Sequence, residues 1–170
     1  MDTKEALKGI NDFESHYKYD ADYMRDLLKY SPGGFEKYNA FLPMAQYREK
    51  APADVYYVAN IAAMKVEDCG ACLQLNIRFA LEKGVSKDIV RGAIRDGEGL
   101  SGDLKKVYDF ATAVASNSEG IEDLASQIET KYGKEVMMEL ALCIASAKVF
   151  PALRRTLGYA KSCSLYEFEV

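Results

Sequence analysis

The sequence predicts an all-α, single-domain helical bundle over residues 1–170. Three observations carry that expectation. Apolar residues recur at spacings of three and four rather than in alternation. Ala, Leu, Lys and Glu are plentiful and β-branched runs are few. Proline and glycine mark several of the stops, as at "SPGG" (31–34), Gly84 and "DGEGLSGD" (96–103). A chain of 170 residues is long enough for one well-filled core and requires no second domain.

The elements follow in order. A helix is expected over 3–15 and another over 20–30, stopped by "SPGG" (31–34), where proline and two glycines cannot continue it. "FEKYNAFLPMAQYREK" (35–50) reads as a helix interrupted around Pro43. "APADVYYVANIAAMK" (51–65) reads as a mostly buried helix entered through Pro52. The next helix carries a cysteine pair and ends at Gly84, a left-handed C-terminal residue. Ser86 caps a short helix over 87–96. "DGEGLSGD" (96–103) is the clearest loop, and the spacing of Asp96, Glu98 and Asp103 fits no calcium loop. Helices follow over 103–116, 120–132, 133–149 and 151–161, with Pro151 in the first turn of the last. Val136, Leu140, Cys143, Ile144 and Ala147 share one stripe, which makes 133–149 a core element and Cys143 inert.

Composition excludes several function classes. The net charge of −4 and the scatter of lysine and arginine among acids leave no basic stripe for a nucleic-acid partner. No stretch approaches the roughly 20 apolar residues that cross a bilayer. The most apolar run, "LALCIASAKVF" (140–150), contains Lys148. "MDTKEALKGI" does not read as a signal peptide. The expectation is a cytoplasmic protein with no membrane partner. There is no Gly-rich phosphate loop, serine elbow or zinc-protease helix, and no cofactor is expected.

The candidate chemistry lies in "KVEDCGACLQLNIRFALEKGVS" (65–86). Cys69 and Cys72 are one turn apart at the start of a helix, and Asn76 follows four residues later on the same face. Two sulfurs at that spacing can close a disulfide. A helix N-terminus favours a thiolate by on the order of 0.3–1 kcal/mol at exposed sites, and the thiolate is the attacking species. Glu67 and Asp68 oppose this, because negative charge disfavours a second anion. Glu67 has another reading, as a carboxylate that shuttles protons to and from the dithiol. Asn76 hydrogen-bonds but does not ionise, so any relay needs Glu67, Asp68 or a tyrosine. The plain alternative is that the pair fills a helix contact as two small hydrophobes. Structural zinc needs four ligands, and only His16 and two distant cysteines remain to supply them.

The segment 55–94, an apolar helix leading into Cys-x-x-Cys, then a helix ending at glycine and a short capped helix, resembles the carboxymuconolactone decarboxylase / alkylhydroperoxidase-D-like family. The likeness extends more weakly over 19–42 and 132–163. It implies a helical bundle of that type assembling as a homo-oligomer, a trimer or hexamer. It also implies a peroxidase or thiol–disulfide oxidoreductase acting on peroxide or a protein disulfide and regenerated by an unspecified thiol reductant. In the peroxidase-like members the motif is Cys-x-x-Cys-x-x-x-His with a glutamate on the preceding helix. The cysteines correspond to Cys69 and Cys72, with Cys72 at the peroxide-reactive position. The histidine position holds Asn76, and the glutamate position holds Tyr57. Members that decarboxylate lactones lack the cysteine pair. A non-enzymatic oligomeric scaffold or small-molecule binder of the same fold, and a lyase or isomerase using the same cleft, are the alternatives.

Three further expectations concern single residues. His16 is a candidate to replace the missing relay histidine, or else a surface residue among tyrosines. Tyr17, Tyr19, Tyr23, Tyr30, Tyr38 and Tyr47 suit subunit contacts or core packing equally. Cys163 is expected near the surface, and the tail "SLYEFEV" to dock on a neighbouring subunit.

Overall fold

In the computed structural model, which describes residues 2–170, the chain forms ten α-helices and one 3-10 turn, with no strand among the described residues. The helices are α1 (Thr3–Tyr17), α2 (Asp22–Tyr30), α3 (Pro32–Ala45), α4 (Ala53–Val66) and α5 (Gly70–Glu82). After them come α6 (Lys87–Ile94), α7 (Gly102–Ser116), α8 (Ile121–Tyr132), α9 (Lys134–Ala147) and α10 (Val149–Thr156). The 3-10 turn is Cys163–Leu165.

Local chemistry places the boundaries. The Asp2 carboxylate accepts from the Lys4 N–H at 2.8 Å and starts α1. Ser86 does the same for α6, accepting from Ile89 N–H. Gly84, at φ +83°, follows α5 as its left-handed terminus. Two boundaries differ from the sequence reading. "SPGG" ends α2 but is not a free turn: Pro32 takes the first position of α3, where its missing N–H has no intrahelical partner to lose, and both glycines are helical. Pro43 does not interrupt α3. The carbonyl that it leaves unpaired belongs to Asn39, an exposed residue near the helix end, so the loss is small.

Helix α4 is the axis of the fold. Every residue from 55 to 64 is buried, because α5, α6, α7 and α9 pack around it. A second, smaller hydrophobic cluster joins α1, α2 and α3 and reaches α5 through Ala71. The N-terminal three helices thus form a separate layer over the α4–α5–α9 face.

Helices α9 and α10 run on as a 23-residue stretch, Lys134–Thr156, long and apolar enough by composition to cross a membrane. This corrects the expectation that no segment reaches that length. Half of its most apolar window is buried within the fold, so core packing accounts for its apolarity. One buried acid in α9 has a defined task. The Glu139 carboxylate accepts from the backbone N–H groups of Lys50 and Ala51 at 2.8 and 2.9 Å, fixing the approach to α4. Burial opposes its ionisation, yet these N–H groups outweigh burial and hold its pKa below the ordinary value.

The tail folds back on its own chain. Gln74 and Glu169 exchange hydrogen bonds, Gln74 Nε2 to Glu169 O at 3.1 Å and Glu169 N–H to Gln74 Oε1 at 2.9 Å. Arg78 pairs with the Glu169 carboxylate at 2.9 Å.

Candidate functional site: a disulfide beside a cavity

Between α4 and α5 the chain reverses in three residues. Glu67 closes α4, Asp68 adopts a left-handed φ of +50°, and Cys69 occupies the N-cap of α5 in extended conformation. Aspartate tolerates the left-handed region better than most residues. Its carboxylate is also held there, accepting from Cys163 N–H at 2.8 Å and Ser162 Oγ at 3.0 Å. These contacts lower its pKa and tie the tail across the turn.

Cys69 and Cys72 are joined in a disulfide, with Cα atoms 5.3 Å apart. One turn of backbone therefore brings the sulfurs together, as the spacing requires. Both residues are nearly inaccessible from outside, Cys69 at 0% and Cys72 at 2% exposure, but their surroundings differ. Cys69 lies beneath the segment in which Lys161 O accepts from Gly70 N–H at 2.9 Å. Cys72 lines a cavity of about 510 Å³ between the N-terminal layer and the α4–α5–α9 face, partly open to solvent. The cavity offers one approach to the disulfide, at Cys72.

Asn76 and Tyr57 line the same cavity. Asn76 Nδ2 donates to Cys72 O at 2.8 Å, back along the helix. Burial raises the Tyr57 pKa, so at neutral pH its hydroxyl keeps its proton and is no base. Glu67 is placed elsewhere: its carboxylate faces Arg155 at 3.2 Å and Lys148 at 3.6 Å and does not line the cavity. His16 lies at the surface of α1, 3.5 Å from Glu82, with its side chain 64% exposed. Within one chain the structure brings together Cys69, Cys72, Asn76 and Tyr57, and leaves Glu67 and His16 outside.

The other two cysteines are separate. Cys143 is fully buried, and burial pushes its thiol up to about 12 despite Asn60 Nδ2 donating to it at 3.5 Å. Cys163 is half-buried in the tail, and burial with the adjacent Asp68 raises it to about 11. The acids of the 96–103 loop gather around no common point: Asp96 pairs with Lys65 at 2.6 Å and Asp103 with Lys131 at 3.1 Å.

Several cavity residues escape sequence reasoning. Asn60 and Ser146 are buried on its wall, and Asn60 Oδ1 and Ser146 Oγ have no hydrogen-bond partner among the described residues. Each is a polar residue inside an otherwise apolar run, "VYYVANIAAMK" and "LALCIASAKVF", and that exception is the signal which could have found them. Tyr19 and Tyr23 are buried and line the cavity with half-buried Tyr38, whereas Tyr30 is 73% exposed. Core packing therefore accounts for part of the N-terminal tyrosine cluster. Arg154, buried against Tyr19 and Tyr23, has no mark in the sequence that separates it from exposed Arg155. No protein-family model, curated protein or solved structure matches this chain.

Proposed function

We propose that the protein is a thiol–disulfide oxidoreductase or weak peroxidase of the alkylhydroperoxidase-D-like type, working through the Cys69–Cys72 pair. One observation carries the reading: a disulfide at a helix N-terminus with one of its two cysteines on the wall of a solvent-connected cavity. In the reduced state the Cys72 thiolate attacks a peroxide oxygen, the O–O bond breaks and an alcohol or water leaves after taking a proton. The Cys69 thiol then displaces hydroxide from the Cys72 sulfenic acid, forming the disulfide and water. An external dithiol returns two electrons and two protons. With a protein disulfide as oxidant, Cys72 forms a mixed disulfide that Cys69 resolves, releasing a dithiol. The reading extends to a homo-oligomeric assembly, trimer or hexamer, in a reducing cytoplasm, with neither nucleic acid nor membrane as partner.

Neither Asn76 nor Tyr57 can act as a base at neutral pH, which makes reaction through the small thiolate fraction of an ordinary thiol the expected route. That favours slow peroxide reduction and leaves disulfide exchange feasible. The same observation supports the second reading, a non-enzymatic small-molecule binder or scaffold in which the disulfide is structural.

The test is to reduce the protein, quantify thiols before and after mild peroxide, and map the products by mass spectrometry, alongside the reduction potential of the pair. Loss of two thiols with a Cys69–Cys72 link, abolished in Cys72→Ser, supports the oxidoreductase. A potential well below that of cellular dithiols, with no turnover in the presence of a thiol reductant, leaves the binder.

A further inference from the structure

We propose that the cavity is a binding site for a neutral, predominantly apolar molecule whose carbonyl-type oxygen accepts a hydrogen bond from the Tyr38 hydroxyl. The inference stands apart from the redox reading, because it rests on the tyrosines and the buried arginine and not on the disulfide.

The starting point is Arg154, 1% exposed. Its guanidinium lies over the rings of Tyr19 and Tyr23, 5.0 and 4.8 Å from their centroids. It also donates to Tyr19 Oη at 3.1 Å, to Asp20 O at 2.8 Å and to Tyr159 O at 2.9 Å, and pairs with the half-exposed Asp20 carboxylate at 3.4 Å. Arginine has donors only, so Tyr19 Oη is the acceptor in its bond with Arg154. Tyr19 accepts from Arg154 and passes its own proton to Tyr23 Oη at 3.4 Å. Tyr23 Oη and Tyr38 Oη lie 2.8 Å apart, a contact in which either hydroxyl can donate, and the run from Arg154 continues when Tyr23 does. In that orientation the Tyr38 proton has no acceptor among the described residues, and Tyr38 lines the cavity. A buried cation at one end of a hydroxyl chain makes its far end a polarised donor. Burial, despite the Tyr23 bond, pushes Tyr38 up to about 12, so it keeps its proton across the neutral range.

The rest of the cavity selects for an uncharged ligand with a large apolar body. Phe13, Leu42, Phe79 and Phe150 are among its walls, and among the described residues no lysine or arginine lines it. Asp2 and Glu5, both exposed, stand at its edge and repel anions. A carboxylate would lose its hydration without meeting a cation directly. A ketone, ester or amide oxygen satisfies the Tyr38 proton without that penalty.

The probe is 2-undecanone labelled with ¹³C at the carbonyl, compared with undecanoate, in calorimetry and infrared spectroscopy. The ketone should bind saturably, one per chain, with its carbonyl band lowered from the position in hydrocarbon solvent, and more tightly than undecanoate at pH 7. Tyr38→Phe should weaken it by about three- to tenfold and return the band to its hydrocarbon position. Tyr23→Phe, which breaks the chain one link earlier, should reduce the band shift with Tyr38 intact, and serves if Tyr38→Phe fails to fold. Peroxide oxidation of the thiols is measured separately, so failure of ketone binding and failure of the redox reading give different results. Absence of saturable binding, tighter binding of undecanoate, or a band unmoved by either tyrosine substitution would overturn the proposal.

Discussion

Gly70 and Tyr166 are in contact at a distance that only glycine permits: a β-carbon on Gly70 would lie 2.0 Å from Tyr166 Cδ2. Gly70 separates Cys69 from the rest of α5, and Tyr166 belongs to the tail, so this contact lets the tail close over the outer side of the disulfide. Gly70→Ala must displace the ring. The expected result is faster reduction of the disulfide by dithiothreitol, by several-fold or more, and easier proteolysis of the tail. Tyr166→Ala should give the same acceleration without strain at the helix start. An unchanged reduction rate in both would mean that the tail does not limit access and that reductant enters through the cavity alone.

Asn76 occupies the cavity wall one turn beyond Cys72, where histidine would place a titrating group beside the sulfur. Asn76→His should raise the rate of peroxide or disulfide reaction by about tenfold, short of the roughly 10²–10⁴ of a complete general base because Tyr57 gives it no carboxylate partner. The gain should appear as pH rises through about 6.5, where imidazole loses its proton and can accept another. Stopped-flow thiol oxidation against pH measures both; a flat profile would remove Asn76 from any relay role.

Glu139 predicts an acid limb in stability. Its folded pKa is lowered below the ordinary 4.5, so the unfolded chain binds more protons, and the contribution is present above 4.5 and lost as pH falls through the folded value. Glu139→Gln should cost about 1–3 kcal/mol at pH 7, since it weakens charge-assisted bonds to the Lys50 and Ala51 N–H groups. The gap between variant and parent should narrow on acidification. Urea titrations at pH 7 and pH 3.5 measure it, and a gap independent of pH would contradict the ionised form.

Cys143 and Cys163 predict an order of reactivity. With thiols raised to about 12 and about 11, both should resist iodoacetamide at pH 8 in the native oxidised protein. Cys163, half-buried in the tail, should react first, and Cys143 only on global unfolding. Peptide mapping over time checks this. Early modification of Cys143 would show that α4 and α9 separate locally.

Much of the helical order was legible because its causes are local. The three-and-four periodicity, the cap at Ser86 and the left-handed Gly84 act within a turn or two, and they recur in the structure within a few residues of their expected places. "SPGG" and Pro43 were read less well, since whether proline begins a helix, ends one or sits harmlessly in its last turn depends on which carbonyls face water. The same separation holds in the site. The Cys69–Cys72 link could be anticipated because one helical turn fixes that distance. Glu67 could not be placed, because two cations from the end of α9 and from α10, more than 80 residues away in sequence, hold it outside the cavity.

What the sequence alone determined about this protein is its helical class and the chance for one close pair of sulfurs, both consequences of short-range backbone geometry. Tertiary structure decided that one sulfur-bearing residue lies under the tail and the other on a cavity wall. It also decided that three tyrosines from α2, α3 and the turn before them align on a buried arginine from α10. Those relations depend on how separate helices stack, and packing between elements distant in sequence leaves no periodic trace in the order of residues.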